Sequence, residues 1–204
     1  MTSTAGGVTT PAMRTDLFDF DLPEENIALR PVRPRDAARL LCVSRFGDIR
    51  DRIVRDLPGL FEAGDILVLN DSRVIPVALD GVRAARPNGE DVRVKVNLIE
   101  RLGSDHWRGF ARPGRRLRIG DEIVMSSADA TCQLRAVVLE KVEDGTLSFR
   151  FDQSGDELNA AVQALGMAPL PPYIAERRPY DERDAEDYQT IYAAEDGSVA
   201  APTA

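Results

Sequence analysis

The chain has 204 residues, 43% hydrophobic, 29% charged and 6% aromatic, enough for one large domain or two small ones. No apolar run approaches the ~18–20 residues needed to span a bilayer, and two distant cysteines, Cys42 and Cys132, make no disulfide framework. Twenty-six basic against 34 acidic side chains give a net charge of −8, which excludes nonspecific coating of nucleic acid and requires a local basic patch for any RNA contact.

Met1 to Thr10 has neither a basic n-region nor an apolar h-region, so it is not a secretory signal, and residues 1–15 read as a disordered tail. Asp16 to Pro23 alternates until the proline stops it, and Pro31 and Pro34 keep the next stretch out of helix. Arg39–Val43 has the density of a short buried strand. Ile49, Ile53 and Leu57, four apart, predict a short amphipathic helix over Asp48–Leu57, ended by Pro58 and Gly59. After a turn at Gly64-Asp65, the continuous run Ile66-Leu67-Val68-Leu69 predicts a strand covered on both faces, followed by the polar cluster Asn70-Asp71-Ser72-Arg73.

From Val77 to Phe151 the texture changes to short strands: an alternating Val92, Val94, Val96, Leu98, then His106–Ala111, Glu122–Met125, Gln133–Glu140 and Thr146–Phe151. Turn chemistry separates them at Pro87-Asn88-Gly89, Gly103-Ser104-Asp105, Gly120-Asp121 and Asp144-Gly145. Five or six antiparallel strands predict a small barrel or sandwich. Ser154 and Glu157 then form a capping box for a helix with the stripe Leu158, Ala161, Val162, Leu165, closed by Gly166. Pro169–Ile174 reads as rigid and extended, and eight acidic against three basic residues fill Glu176–Asp196. The resulting fold class is an α/β domain, residues 16–76 and 152–204, interrupted by an inserted antiparallel β-barrel over 77–151.

Several clusters carry two readings each. Arg108 to Arg118 holds five arginines in eleven residues with no acid, so Arg112, Arg115 and Arg116 form either a phosphate-contacting loop or a solvated hairpin. Asn70-Asp71-Ser72-Arg73 either positions substrate, with Asp71 as general base, or caps a strand end. Tyr188-Gln189-Thr190-Ile191-Tyr192 could hold a nucleobase or ribose, or be one turn of helix or a half-buried strand. The single histidine, His106, reads as an ordinary surface residue. With it alone, a zinc site or a Ser-His-Asp triad has little to stand on.

Taken in order, seven stretches resemble the S-adenosylmethionine:tRNA ribosyltransferase-isomerase family of queuosine biosynthesis. They are residues 20–24, residues 34–41 (Pro-Arg-Asp-Ala-Ala-Arg-Leu-Leu), residues 64–76 around Asn70-Asp71-Ser72-Arg73, Arg112-Pro113-Gly114-Arg115-Arg116-Leu117, residues 167–174 ending Pro171-Pro172-Tyr173-Ile174, Tyr188-Gln189-Thr190-Ile191-Tyr192-Ala193, and residues 197–204 ending Ala201-Pro202-Thr203-Ala204. The resemblance implies a discontinuous α/β domain with an inserted β-barrel. Cysteine usage, the single histidine and the lack of a long apolar run lead to the expectation of a cytoplasmic protein with no metal and no membrane contact. A monomer is expected, and the resemblance adds S-adenosylmethionine as a substrate with no cofactor. The ribosyl part of that molecule passes to the aminomethyl group of a 7-deazaguanine in the tRNA wobble position, giving epoxyqueuosine and releasing adenine and methionine. Asp71, Arg73 and Tyr188 then fall to catalysis, Asn70, Ser72, Gln189, Thr190, Tyr192, Pro202 and Thr203 to substrate binding, and Arg112, Arg115 and Arg116 to tRNA. The family carries a basic residue where this chain has Asp187, which argues against a phosphate contact there. It also continues past Ala204 into Gly-Leu-His-Phe. The expectation is therefore an N-terminal part of the enzyme, inactive alone and exposing an unpaired sheet edge, with a noncatalytic tRNA-binding module or an inactive remnant as the alternatives.

Overall fold

The computed structural model describes residues 14–202 apart from Asn88; the tail expected over 1–15 thus lies outside the described residues except for its last two, as do Thr203 and the middle of the Pro87-Asn88-Gly89 turn. A 3-10 turn at Thr15–Phe18 opens the described chain. Strand β1 (Arg39–Val43) forms as expected but is not buried: Leu41 and Val43 point to solvent.

The helix expected over Asp48–Leu57 is absent. Its first half is strand β2 (Ile49–Ile53), antiparallel to β1 with Leu41 opposite Asp51, and its second half is a 3-10 helix, Val54–Leu60, that contains Pro58. The turn decides the outcome. Ser44 Oγ accepts the N–H groups of Phe46 and Asp48, and Gly47 takes φ +89°, so a tight hairpin outcompetes a helical period of only three apolar residues. The run Ile66–Leu69 is likewise neither strand nor covered: Ile66 is 88% and Val68 91% exposed, and no strand among the described residues pairs with it. Regular structure resumes at β3 (Ser72–Val74).

The all-β expectation resolves into a closed barrel. Its strands are β4 (Ala78–Arg83), β5 (Val92–Arg101), β6 (His106–Arg112), β7 (Glu122–Ser126), β8 (Gln133–Lys141) and β9 (Leu147–Phe151). They run in the order β4-β5-β6-β9-β8-β7, and β4 meets β7 at Val82 and Val124. Closure removes every free edge. The alternation of β5 aims Val92, Val94, Val96 and Leu98 inward, onto Ile123, Met125, Leu134, Val138 and Phe149 from the other strands. At roughly 1.5–3 kcal/mol for each large apolar side chain removed from water, this cluster is the main source of stability.

Helix α1 (Gly155–Leu165) lays Leu158, Ala161 and Val162 on the barrel core. Ser154 occupies the N-cap position, but its hydroxyl makes no capping bond, so the expected capping box does not form; among the first-turn donors, the Gly155 N–H is satisfied by the Ser104 carbonyl, 2.9 Å away. Replacing Ser154 by alanine should therefore shift stability by under about 0.5 kcal/mol, against ~1 kcal/mol for a working cap, as read from urea melts.

Beyond α1, the expected extended segment Pro169–Ile174 turns helical at α2 (Pro172–Ala175). Pro172 sits where its fixed φ suits a helix start and no N–H is needed, and Ile174 is buried. Helix α3 (Asp184–Asp187) precedes the Tyr188–Tyr192 segment, and β10 (Glu195–Ser198) runs parallel to β3. No helix among the described residues is long and apolar enough to cross a membrane, and Cys42 and Cys132 are free.

Candidate functional site

Residues 70–74 and 189–198 are far apart in the sequence and meet in the fold. Gln189 Oε1 accepts the Val74 N–H at 2.8 Å, and its Nε2 donates to the Val74 carbonyl at 2.9 Å. The primary amide thus mimics a neighbouring strand for one residue. Thr190 Oγ1 donates to the Asn70 carbonyl (2.8 Å), and the Asp71 carbonyl accepts the N–H groups of Ala194 (2.7 Å) and Glu195 (3.2 Å), leading into the β3–β10 pairing. Asn70 Oδ1 accepts the Ser72 N–H at 3.0 Å, an Asx turn that fixes the entry to β3.

Beside this junction lies a recess of about 540 Å³ lined by Arg73, Gln189, Asp196, Tyr180, Gln163 and Gly166, among others. Arg73 and Asp196 put opposite charges 3.6 Å apart on its wall, both about half exposed. Of the residues singled out in the sequence, Arg73 and Gln189 line this recess, and the Gln189 amide is already engaged. Asp71 is exposed beside it, with no hydrogen bond to its carboxylate among the described residues, and Ser72 is half-buried at the start of β3. Tyr192 is 49% exposed, and Pro202 is half-buried at the end of the described chain.

Tyr188 ends α3 as its C-cap residue and is half-buried. Burial pushes its phenol pKa up, and the fields of Asp184 and Tyr173 add to this against the opposing pull of Arg178 and Arg30, so it stays a proton donor at neutral pH. Tyr180 is raised for the same leading reason. Neither Tyr180 nor Asp196 was singled out in the sequence; they arrive at the recess only through the α3 and β10 packing.

The structure also gives Asp187 a structural role. Its carboxylate is buried and accepts from Arg33 (2.7 Å) and Arg30 (3.2 Å), while Arg35 donates to its backbone carbonyl (3.0 Å). Burial raises its pKa, but the bonds from Arg33 and Arg30 outweigh that and hold it below the usual carboxylate value. An acid here belongs to an arginine-rich ion-pair network rather than to a phosphate contact.

On the barrel, Arg115 and Arg116 lie in a 3-10 turn (Gly114–Arg116) after β6 and line a second recess with Arg83, Arg86, Glu90 and Arg118; Arg112 is exposed at the end of β6, outside it. His106 is half-buried and hydrogen-bonded through Nε2 to Ser148 Oγ, tied to β9 rather than free at the surface. No group of three or more His, Cys, Asp or Glu among the described residues could hold a metal ion.

A family model described as queuosine biosynthesis protein matches residues 15–204. An S-adenosylmethionine:tRNA ribosyltransferase-isomerase from Methylobacterium sp. (strain 4-46) is 57% identical over 197 residues, covering 94% of this chain and 54% of its own length. The protein of the same name from Xanthobacter autotrophicus is 52% identical over 197 residues with the same coverage. A crystal structure of S-adenosylmethionine tRNA ribosyltransferase from Thermotoga maritima is 36% identical, covers 78% of this chain and 52% of that one, and superposes with a TM-score of 0.36. The chain spans about half the length of the curated relatives it matches.

Proposed function

The chain belongs to the queuosine biosynthesis protein family, and from that premise we propose that it carries part of the site where the ribosyl group of S-adenosylmethionine is transferred to 7-aminomethyl-7-deazaguanine in the tRNA wobble position. The sugar is isomerised to an epoxycyclopentane, giving epoxyqueuosine with adenine and methionine as leaving molecules. In this reading residues 16–76 and 152–204 are parts of one discontinuous α/β domain, with the barrel inserted between them. Its support is the set of bonds that tie the two segments together across the barrel, such as Gln189 to Val74 and Arg178 Nε to the Leu29 carbonyl at 3.1 Å.

The observation that carries the proposal is the junction of Asn70–Arg73, at the start of β3, with the Gln189–Glu195 segment beside a charged recess. S-adenosylmethionine bears both a carboxylate and cationic groups, and the Arg73–Asp196 wall offers both signs. Asp71, a free carboxylate just before β3, is suited to take the proton next to the sulfonium sulfur. Arg73 or the protonated Tyr188 phenol is suited to donate to the departing adenine. Asn70, Ser72, Thr190, Tyr192, Pro202 and Thr203 would shape the pocket around the sugar and base, and Arg112, Arg115 and Arg116 would meet the tRNA backbone.

Nucleoside mass spectrometry of bulk tRNA tests the activity. Disrupting the locus should make the aminomethyl-deazaguanine nucleoside accumulate and epoxyqueuosine disappear, and complementation with Asp71→Asn should not restore it. Unchanged nucleosides after disruption overturn the proposal. In the purified protein, Asp71→Asn should leave the melting temperature unchanged, because the exposed carboxylate bonds to nothing that holds the fold, so a failure to restore the nucleoside reports on chemistry rather than folding.

A further inference from the structure

The sequence of β4 carries an anomaly. Leu79, Gly81 and Arg83 share the inward parity of the strand, so the alternation that builds the barrel aims an arginine where its neighbours place apolar groups. Arg83 is 6% exposed. One terminal nitrogen donates to the Ala84 carbonyl at 2.7 Å, while its buried Nε has no hydrogen-bond partner. Among the described residues no carboxylate forms an ion pair within 4.0 Å with the guanidinium group of Arg83, Arg115, Arg116 or Arg118. A cation so placed has lost much of its hydration without gaining a direct ion pair, and buried polar groups normally find a partner.

These side chains line a recess of about 390 Å³ at the barrel wall, with Glu90 at its edge. Arg86 is held rigidly there. It pairs with Asp121 and also donates to the Arg116 carbonyl at 3.2 Å, while Asp121 accepts the Arg118 N–H at 2.7 Å. Burial raises the Asp121 pKa, but those bonds and the fields of Arg86 and Arg83 hold it below the usual carboxylate value, so it stays ionised and keeps the arginines placed. Lys141 donates to the carbonyls of Gly114 (3.0 Å) and Leu117 (3.1 Å), bracing the turn that presents Arg115 and Arg116. Against five guanidinium groups stand two acids, Glu90 and Asp121.

We propose that this recess is a phosphate site, and that the phosphate it takes is a backbone phosphodiester of an RNA. Guanidinium forks match phosphate oxygens in a paired geometry, and the group would supply the direct anionic partner Arg83 lacks. The overall charge of −8 repels nucleic acid at large, so the recess fixes one point of contact rather than coating the duplex. The phosphate chemistry stands on the recess alone; the identity of the polyanion rests on the tRNA reading above.

The test is fluorescence anisotropy of tRNA with the purified protein over a range of salt, for wild type, Arg116→Ala, Arg118→Ala and, as a charge-matched control on the exposed side of β9, Arg150→Ala. Arg116→Ala and Arg118→Ala should each weaken binding about tenfold and reduce the slope of log K against log salt by about 1, with the control near wild type. Arg83→Met, of similar bulk, should melt no lower than wild type yet lose the upward shift in melting temperature that inorganic phosphate gives wild type. If the recess variants bind tRNA like Arg150→Ala, the RNA assignment is overturned even where the phosphate shift survives. If phosphate shifts no variant differently from wild type, the phosphate site itself is overturned. Equal, recess-dependent affinity for duplex DNA and tRNA supports the recess and overturns the tRNA reading instead.

Discussion

Asp184→Ala is expected to destabilise the protein by about 3–5 kcal/mol, the range for removing one partner from a buried ion pair. The Asp184 side chain is fully buried. Arg178 grips both oxygens, at 2.7 and 2.6 Å, and Arg30 adds a third bond at 2.8 Å and the Asp181 N–H a fourth at 3.0 Å. Truncation would strand two guanidinium groups that also organise their surroundings, since Arg178 Nε donates to the Leu29 carbonyl and Arg30 reaches Asp187. For a chain of this length the loss corresponds to a fall of roughly 10 °C in melting temperature.

The opening should be local. Hydrogen exchange should rise around residues 27–35 and 178–188 while the barrel strands keep their protection. Unaltered exchange in those two segments would show that the network does not tie them. Acid should act through the same carboxylate. Burial raises the Asp184 pKa, but the bonds from Arg178 and the Asp181 N–H, with the fields of Arg178 and Arg30, bring it below its ordinary value. Asp187 follows the same pattern. A lowered folded-state pKa means the stabilisation is complete above the ordinary carboxylate value of about 4 and is lost as pH falls through the folded value. Wild type should therefore lose stability more steeply than Asp184→Ala on going from about pH 5 down to pH 2, with the two converging at the acid end.

Where the sequence was legible, it was legible because one local signal sufficed. The alternation of Val92, Val94, Val96 and Leu98 places β5 without knowledge of its partners, and the turn residues at Gly103-Ser104-Asp105 and Asp144-Gly145 bound β6, β8 and β9. The stripe Leu158, Ala161, Val162 likewise fixes α1. The misreadings share a different cause. Ile49–Ile53 satisfied a helical spacing, but the Ser44–Asp48 turn had already committed it to pair with β1. Ile66–Leu69 has a strand's composition and lacks a pairing partner among the described residues, and pairing is not written within a segment.

The candidate site was half visible. Asn70–Arg73 and Tyr188–Tyr192 stood out by residue type, yet only the fold shows that Gln189 spends its amide on Val74 and that Asp196 and Tyr180 come to Arg73. Arg83 was accessible in principle, as an arginine on the apolar parity of β4, but that parity shows only once Leu79 and Gly81 are known to face inward.

Gly166→Ala is expected to cost about 3 kcal/mol or more, and the reason is not backbone torsion. With φ −84° and ψ 159°, Gly166 sits where any residue is comfortable, so the left-handed closure expected of a helix-ending glycine does not occur. The constraint is contact: a Cβ there would lie 1.7 Å from the Pro76 carbonyl oxygen and 2.6 Å from that of Val162, the oxygen that accepts the Gly166 N–H at 2.8 Å. Both obstacles are backbone, so no side-chain rotation relieves them. To make room, the end of α1 must withdraw from residues 76–78, breaking the bridge in which Ala78 and Met167 exchange N–H···O bonds of 3.1 and 2.8 Å. Gly120→Ala provides the contrast. There φ is +86° and nothing lies within 4 Å of the added methyl, so only the torsional cost of about 1–2 kcal/mol applies. Urea melts of the two variants side by side separate the mechanisms: Gly166→Ala should be the less stable, and a loss at or below that of Gly120→Ala would show that α1 and the β3–β4 connection are free to part. Because Gly166 and Pro76 both line the recess beside Arg73, the same withdrawal should widen it, so Gly166→Ala studied well below its melting temperature should also weaken binding of S-adenosylmethionine, whereas Gly120→Ala, remote in the barrel, should leave the affinity unchanged.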